Sequence, residues 1–186
     1  PGWHQPMATP DGRFVISYNG ELYNFNELRI ELESLGHQFH SRSDTEVMLK
    51  ALTHWGTAAL DKFNGMFALA LWDRQRKELL LARDRYGIKP LYYALVNGKL
   101  LFGSEIKAIC ADPSYQANVD KEGLLEYMTF QNFFTERTLF KNVSLLPQGS
   151  FVRISADRPN IQPVKYWDYH FAEPSHPLDD AEYLEE

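Results

Sequence analysis

Met66 to Trp72, MFALALW, is seven apolar residues in a row with no polar alternate. A strand with one wet face alternates between apolar and polar residues. A run without alternation belongs to a strand covered on both faces. The chain around this run must therefore supply a layer on each side of it. The charged turn DRQRK leads into a second apolar run, KELLLARD. PLYYALVNGKLLFG reads as a hairpin, because Asn97-Gly98 between apolar runs is a strong two-residue turn signal. PQGSFVRIS reads as a late strand and Arg13–Tyr18 as an early one.

Helical spacing appears in two longer segments. In Asn24–Leu35, the residues Phe25, Leu28, Leu32 and Leu35 fall on one face, and Gly36 follows where a helix stops. Asn24 and Glu27 have capping-box spacing, which predicts Asn24 as the first cap. HQFHSRSDTEVMLKALTHWG predicts a short strand and then a helix with Val47, Met48, Ala51, Leu52 and Trp55 on its buried face. SEIKAIC and DKEGLLEYMTF read as short helices, the second capped by Asp120. Strands, then helices, then hairpins that are apolar on both sides predict an α+β fold. It has two mainly antiparallel sheets face to face, with helices outside. A fully parallel sheet would need strand–helix alternation throughout, which the middle hairpins do not supply.

Bulk composition excludes several function classes. Of the 186 residues, 44% are hydrophobic and 24% charged, so a packed core is expected. The formal net charge is −6 with no basic cluster, so a nucleic-acid partner is not expected. No apolar run reaches the length of a membrane span, and no basic-then-apolar leader opens the chain. The one cysteine, Cys110, allows no internal disulfide, which is compatible with a cytoplasmic location. The opening PGWHQPMATPDG is a loop that runs straight into a core-type strand, which predicts that the chain begins inside a larger polypeptide. From Asp157 onward Pro, Asp, Glu and His dominate, as in a linker, and LDDAEYLEE reads as the start of an acidic helix.

Chemistry-bearing motifs are few. There is no glycine-rich phosphate loop and no nucleophile elbow. His37 and His40 are too few for a metal site, and no carboxylate cluster joins them. Cys110 closes an apolar helix and reads as a buried structural thiol. SYNGELYN is more informative. Asn19-Gly20 would signal a hairpin if a strand followed at once, but four residues and then a helix cap follow instead. A strand end with an Asn side chain and a bare Gly N–H suits an oxyanion hole, with the Glu21 carboxylate beside it. In SRSDTEV, Ser43 and Glu46 form a capping box without Asp44. Asp44 then either complements the helix dipole or is an anion held for a ligand ammonium. The residues alone favour the first.

Read in order, HQPM, DGRFVISYNGELYNFNELRIELESLGHQFHSRSDTEV, NGMFALALWD, LARDRYGIKPLYY, LFGSEIKAI and LPQGSFV closely resemble the glutaminase (class II glutamine amidotransferase) domain of the glutamine-hydrolysing asparagine synthetase family. The resemblance covers about five-sixths of the chain, with residues 1–155 as that domain and 156–186 as a linker and the start of a synthetase domain. It implies the N-terminal-nucleophile hydrolase fold, a four-layer αββα sandwich. It also implies that Asn19 and Gly20 form the oxyanion hole and that Glu21 and Asp44 hold the α-amino end of glutamine; no metal is expected in the site. The family nucleophile is an N-terminal cysteine whose α-amine is the base. Residue 1 here is Pro1, so the domain reads as N-terminally incomplete and inactive alone. No cofactor is expected in this domain. ATP and Mg are expected in the C-terminal synthetase domain, which would use the ammonia to amidate a carboxylate, aspartate being the first expectation. The expected partners are glutamine and that domain, and a homodimer is compatible with the reading. The alternative is a non-catalytic regulatory or assembly module that retains the fold.

Overall fold

The apolar run is an interior strand of the larger of two sheets. The structure, a computed structural model, describes residues 4–157 and 159–171. In chain order its elements are β1 (Met7–Ala8), β2 (Phe14–Leu22), α1 (Phe25–Ser34), α2 (Asp44–Trp55), a 3₁₀ turn (Gly56–Ala58), α3 (Ala59–Lys62), β3 (Gly65–Asp73), β4 (Glu78–Arg83), β5 (Tyr92–Val96), β6 (Lys99–Gly103), α4 (Ile106–Cys110), α5 (Lys121–Phe130), β7 (Ser144–Leu145), β8 (Ser150–Ser155) and β9 (Val164–Lys165). Six strands form one sheet in the order β1-β2-β3-β4-β8-β9, and three form a second in the order β6-β5-β7. All the pairings are antiparallel.

The two faces of β3 meet different layers. Phe67, Leu69 and Leu71 pack with Leu28 and Leu32 of α1 and with Val47, Met48, Ala51 and Leu52 of α2. Ala68 and Ala70 point the other way, to Tyr93 of the second sheet, Leu81 and Val152. Small residues on the inner face let the second sheet approach, while large ones fill the gap under the helices. Each large side chain fully removed from water contributes roughly 1.5–3 kcal/mol. The outer face of the second sheet buries Ala94 against Ile109 of α4, Tyr115 and Val143. The layer order is thus helix, sheet, sheet, helix, as the patterning predicts.

Local departures from the sequence reading have definite causes. Strand β2 does not end at Tyr18 but runs through Asn19-Gly20 to Leu22, paired with β3 at every residue from Phe14↔Asp73 to Leu22↔Gly65. Asn24 precedes α1 but makes no side-chain cap. Its amide instead donates to the Lys62 carbonyl at 2.9 Å and accepts from Asn64 N–H at 3.0 Å, tying the start of α1 to the entry of β3. Ser43 does cap α2, accepting from Thr45 N–H. Glu46 does not complete the box. Its buried carboxylate accepts from the His40 and Ser41 N–H groups and from the Ser41 hydroxyl. That use of the backbone explains why 37–42 forms no strand. Asn97 and Gly98, both at positive φ, make the expected turn between β5 and β6. Residues 164–165 add a strand beside β8, and the Tyr166 hydroxyl donates to the Arg83 carbonyl at 2.9 Å. The acidic segment LDDAEYLEE lies outside the described residues.

One ion pair closes the far end of β2 and β3. Arg13 Nε and Nη2 donate to Asp73 Oδ1 and Oδ2 at 3.2 and 2.9 Å. Gln75 and Arg76 N–H donate to the same carboxylate. These bonds, that of Arg13 foremost, hold the Asp73 carboxyl down to about 2. An unfolded Asp titrates near ~3.9, so the folded state binds the proton less readily. The stabilisation is complete above roughly pH 4 and is lost as pH falls through about 2. Asp73→Asn should therefore lower stability at neutral pH and flatten the acid loss, measured by denaturant unfolding across pH. An unchanged acid limb would show that the pair contributes nothing.

Candidate active site

The long β2 strand turns its residues alternately to two layers. Ile16, Tyr18 and Leu22 are buried on the helix side, while Ser17, Asn19 and Glu21 are exposed on the other. The cross-strand neighbours of Ser17 and Asn19 are Ala70 and Ala68, which the second sheet covers. The second sheet thus stops short of β2 and leaves an open polar strip along its inner face.

Hydrogen-bond parity fixes where the backbone of Gly20 points. Tyr23 N–H donates to the Asn64 carbonyl, so the pair 23↔64 is hydrogen-bonded and the pairs beyond it alternate. Phe67, opposite Gly20, has its N–H on Asp84 Oδ2 at 3.1 Å and its carbonyl on Asp84 N–H at 2.8 Å. Phe67 therefore faces β4, and Gly20 N–H faces away from β3, out of the sheet edge. Three N–H groups share that edge. Tyr18 N–H donates to Gln5 Oε1 at 2.5 Å, and Leu22 N–H donates to Asp44 Oδ2 at 3.2 Å. Between them, Gly20 N–H has no acceptor among the described residues. Gly20 has φ +152°, and a Cβ there would sit 2.0 Å from the Met66 carbonyl oxygen. The glycine is needed for close strand approach, a reason separate from substrate access.

Asn19 reaches across to the turn that follows β6 of the second sheet, its Nδ2 donating to Ser104 Oγ at 3.1 Å. Asp44 lies at the edge, where Tyr18 hydroxyl donates to its Oδ2 at 3.0 Å. Burial, with the Asp44 charge second, pushes the Tyr18 phenol well above its ordinary range, so it stays a donor. Leu22 N–H lies two residues along the strand from Gly20 N–H, about 7 Å away at ~3.4 Å per residue. The structure thus brings Asn19, Gly20 and Asp44 to one strand edge. Glu21 is beside them, with no partner for its carboxylate among the described residues. A cavity of about 780 Å³, lined by Arg83, Phe133, Glu136 and Arg137 among others, includes none of these four.

Comparison with known proteins decides the family. Residues 2–167 match the glutamine amidotransferase domain family. The chain belongs to that family. The amidotransferase domain is 42% identical over 183 residues to asparagine synthetase [glutamine-hydrolyzing] 3 of Bacillus subtilis (strain 168), covering 97% of this chain and 30% of that protein. It is 40% identical over 170 residues to asparagine synthetase [glutamine-hydrolyzing] 1 of the same organism, covering 87% and 27%. It therefore spans less than a third of these relatives. Among solved structures, the glutamine phosphoribosylpyrophosphate amidotransferase of B. subtilis superposes with TM-score 0.60 at 19% identity, over 88% of this chain and 32% of that one. The domain has the N-terminal-nucleophile hydrolase fold.

Cys110 is exposed, not buried as its apolar helix suggests. In a helix of five residues only Ile109 is fully covered, and the next position turns to solvent. Cys110 also lies in the outer helical layer, behind the second sheet from Asn19. Among the described residues no group of three or more His, Cys, Asp or Glu could hold a metal, and no helix is long and apolar enough to cross a membrane. His37 does not join His40. Its Nε2 meets His54 Nδ1 at 2.9 Å. Sequence reasoning missed Ser104 and Gln5, whose partners are 85 and 13 residues away, and Asp84, which carries no motif although most of its partners are local.

Proposed function

We propose that this domain is the glutaminase part of an asparagine-synthetase-like enzyme. One observation carries the reading: Gly20 N–H points out of the sheet edge beside the Asn19 carboxamide, with no acceptor among the described residues. When a thiolate attacks the glutamine side-chain carbonyl carbon, the C=O electron pair moves to oxygen. Asn19 Nδ2–H and Gly20 N–H stabilise that oxyanion. The C–N bond then breaks as the α-amine returns to the nitrogen the proton it took from the thiol, ammonia leaves, and water adds to the thioester to release glutamate and restore the thiol. Glu21 and Asp44 hold the α-amino group. The amide carbon of glutamine lies about 5 Å from its α-nitrogen, four bonds of roughly 1.5 Å. Along the strand edge, Gly20 N–H and the Leu22 N–H that Asp44 accepts from are about 7 Å apart at ~3.4 Å per residue.

The thiol in this reading is an N-terminal cysteine of the full polypeptide, since Cys110 lies in another layer. Ammonia would then pass to a C-terminal synthetase region, in which ATP with Mg would supply the activation of a carboxylate, with aspartate as acceptor. Support comes from the names of the relatives and from the small share of them that the chain spans. Leu125, Met128, Phe130 and Phe134 leave α5 and the loop after it 59–74% exposed, an apolar surface suited to that region. The reaction belongs to the cytoplasm. An assembly module would need Gly20 for packing as much as an enzyme does, but it has no need of an exposed Asn19.

Ammonia release from glutamine tests the reading. The full-length protein should turn over, and residues 1–186 alone should not exceed blank. Asp44→Asn keeps an acceptor for Tyr18 and Leu22, so the fold should hold. It loses the charge opposite the ammonium, so KM for glutamine should rise roughly 10- to 100-fold. An unchanged KM in folded Asp44→Asn would remove Asp44 from the site.

A further inference from the structure

Asn19 has two amide N–H groups, and the structure uses one of them. Its acceptor, Ser104 Oγ at 3.1 Å, lies just past the last strand residue of the other sheet, 85 residues away in sequence. Ser104 follows β6 directly and sits where the chain turns into α4. That turn is held firmly. A Cβ on Gly103 would lie 3.2 Å from the Ala108 Cβ, and Ile109 is buried against Ala94, Tyr115 and Val143. A hydroxyl on so fixed a turn can set the rotation of an otherwise exposed carboxamide. With Nδ2 turned to Ser104, the second Nδ2 N–H remains for a substrate oxygen. Without that anchor, the amide could rotate and present its carbonyl oxygen to the oxyanion, which is repulsive.

We infer that Ser104 is a positioning residue, which bridges the two sheets to orient the Asn19 carboxamide for glutamine hydrolysis. The inference rests on the oxyanion role proposed for Asn19. Ser104 does not touch the reacting atoms. Its contribution is to hold a donor in the geometry the transition state needs, and donors loosened by about 1 Å lose much of their catalytic value.

The test is a double-mutant cycle on the full-length protein, with steady-state glutaminase kinetics and thermal unfolding of each variant. Ser104→Ala should lower kcat about 10-fold with KM for glutamine nearly unchanged. Ser104→Thr, which keeps the hydroxyl, should restore most of the lost rate. In the Asn19→Ala background, Ser104→Ala should have no further effect, because there is no amide left to orient. If Asn19→Ala lowers kcat but Ser104→Ala does not, the inference fails while the oxyanion reading stands. If the two effects multiply, Ser104 acts independently of Asn19 and the inference also fails. If Asn19→Ala itself leaves kcat unchanged, the oxyanion reading falls and takes the inference with it. A drop in kcat that tracks a lowered melting temperature, and that Ser104→Thr does not rescue, would assign Ser104 to structure alone.

Discussion

Asn19→Ala in the full-length protein is expected to lower glutaminase kcat by about 100-fold or more. The carboxamide is exposed on the inner face of β2, so its removal opens no core cavity and should leave the fold intact. It donates to negative charge that is strongest in the transition state, so the loss falls on kcat more than on KM. Two donors share the oxyanion in this reading. Gly20 N–H survives the substitution, which is why residual turnover should remain. In the proposed reading, synthesis driven by added ammonia would bypass this site and should continue at the unaltered rate. A variant with full glutaminase activity would remove the oxyanion role from Asn19.

The largest stability effect is expected at Asp84. Its side chain is fully buried, and its carboxylate accepts from four backbone N–H groups: Phe67 at 3.1 Å, Tyr86 at 3.1 Å, Ile88 at 3.0 Å and Lys89 at 3.0 Å. Beside it, the Arg83 guanidinium donates to the Lys89, Leu146 and Gly87 carbonyls. The two side chains fold the turn DRYGIKP around themselves and join it to β3 and to the loop before β8. Asp84→Ala leaves four donors without an acceptor, each costing roughly 1–3 kcal/mol if it stays dry. Water will reach some of them, so the net loss should be about 4 kcal/mol. That is a large part of the ~5–15 kcal/mol typical of a domain. Urea unfolding measures it, with Asp61→Ala on the exposed face of α3 as a control expected to change stability by less than about 0.5 kcal/mol. Because Phe67 lies opposite Gly20, the loosened turn should also reduce glutaminase rate in the folded fraction. Asp84→Ala with wild-type stability would show that the loop finds other acceptors.

Residues close in sequence decided much of this protein. The unbroken apolar run at 66–72 demanded layers on both sides, and Phe67 and Ala68 now face different layers. Asn97-Gly98 made its turn and Ser43 its cap, because those bonds close within a few residues. The order of motifs likewise pointed to the family. Tertiary structure decided the rest. The extent of β2 beyond Tyr18 depends on β3, whose Gly65 admits the Glu21 carbonyl as Gly20 admits that of Met66. Asn24 met its capping rule in spacing, yet its amide found the Lys62 carbonyl and Asn64 N–H instead, 38 and 40 residues away. Cys110 was turned outward by which side of a short helix met the second sheet. The orientation of the Asn19 amide, and the N–H that Gly20 turns to the edge, follow from pairing and from Ser104. Local propensity is a sum over neighbours in the chain. A site at a strand edge depends on which groups the other strands have already taken.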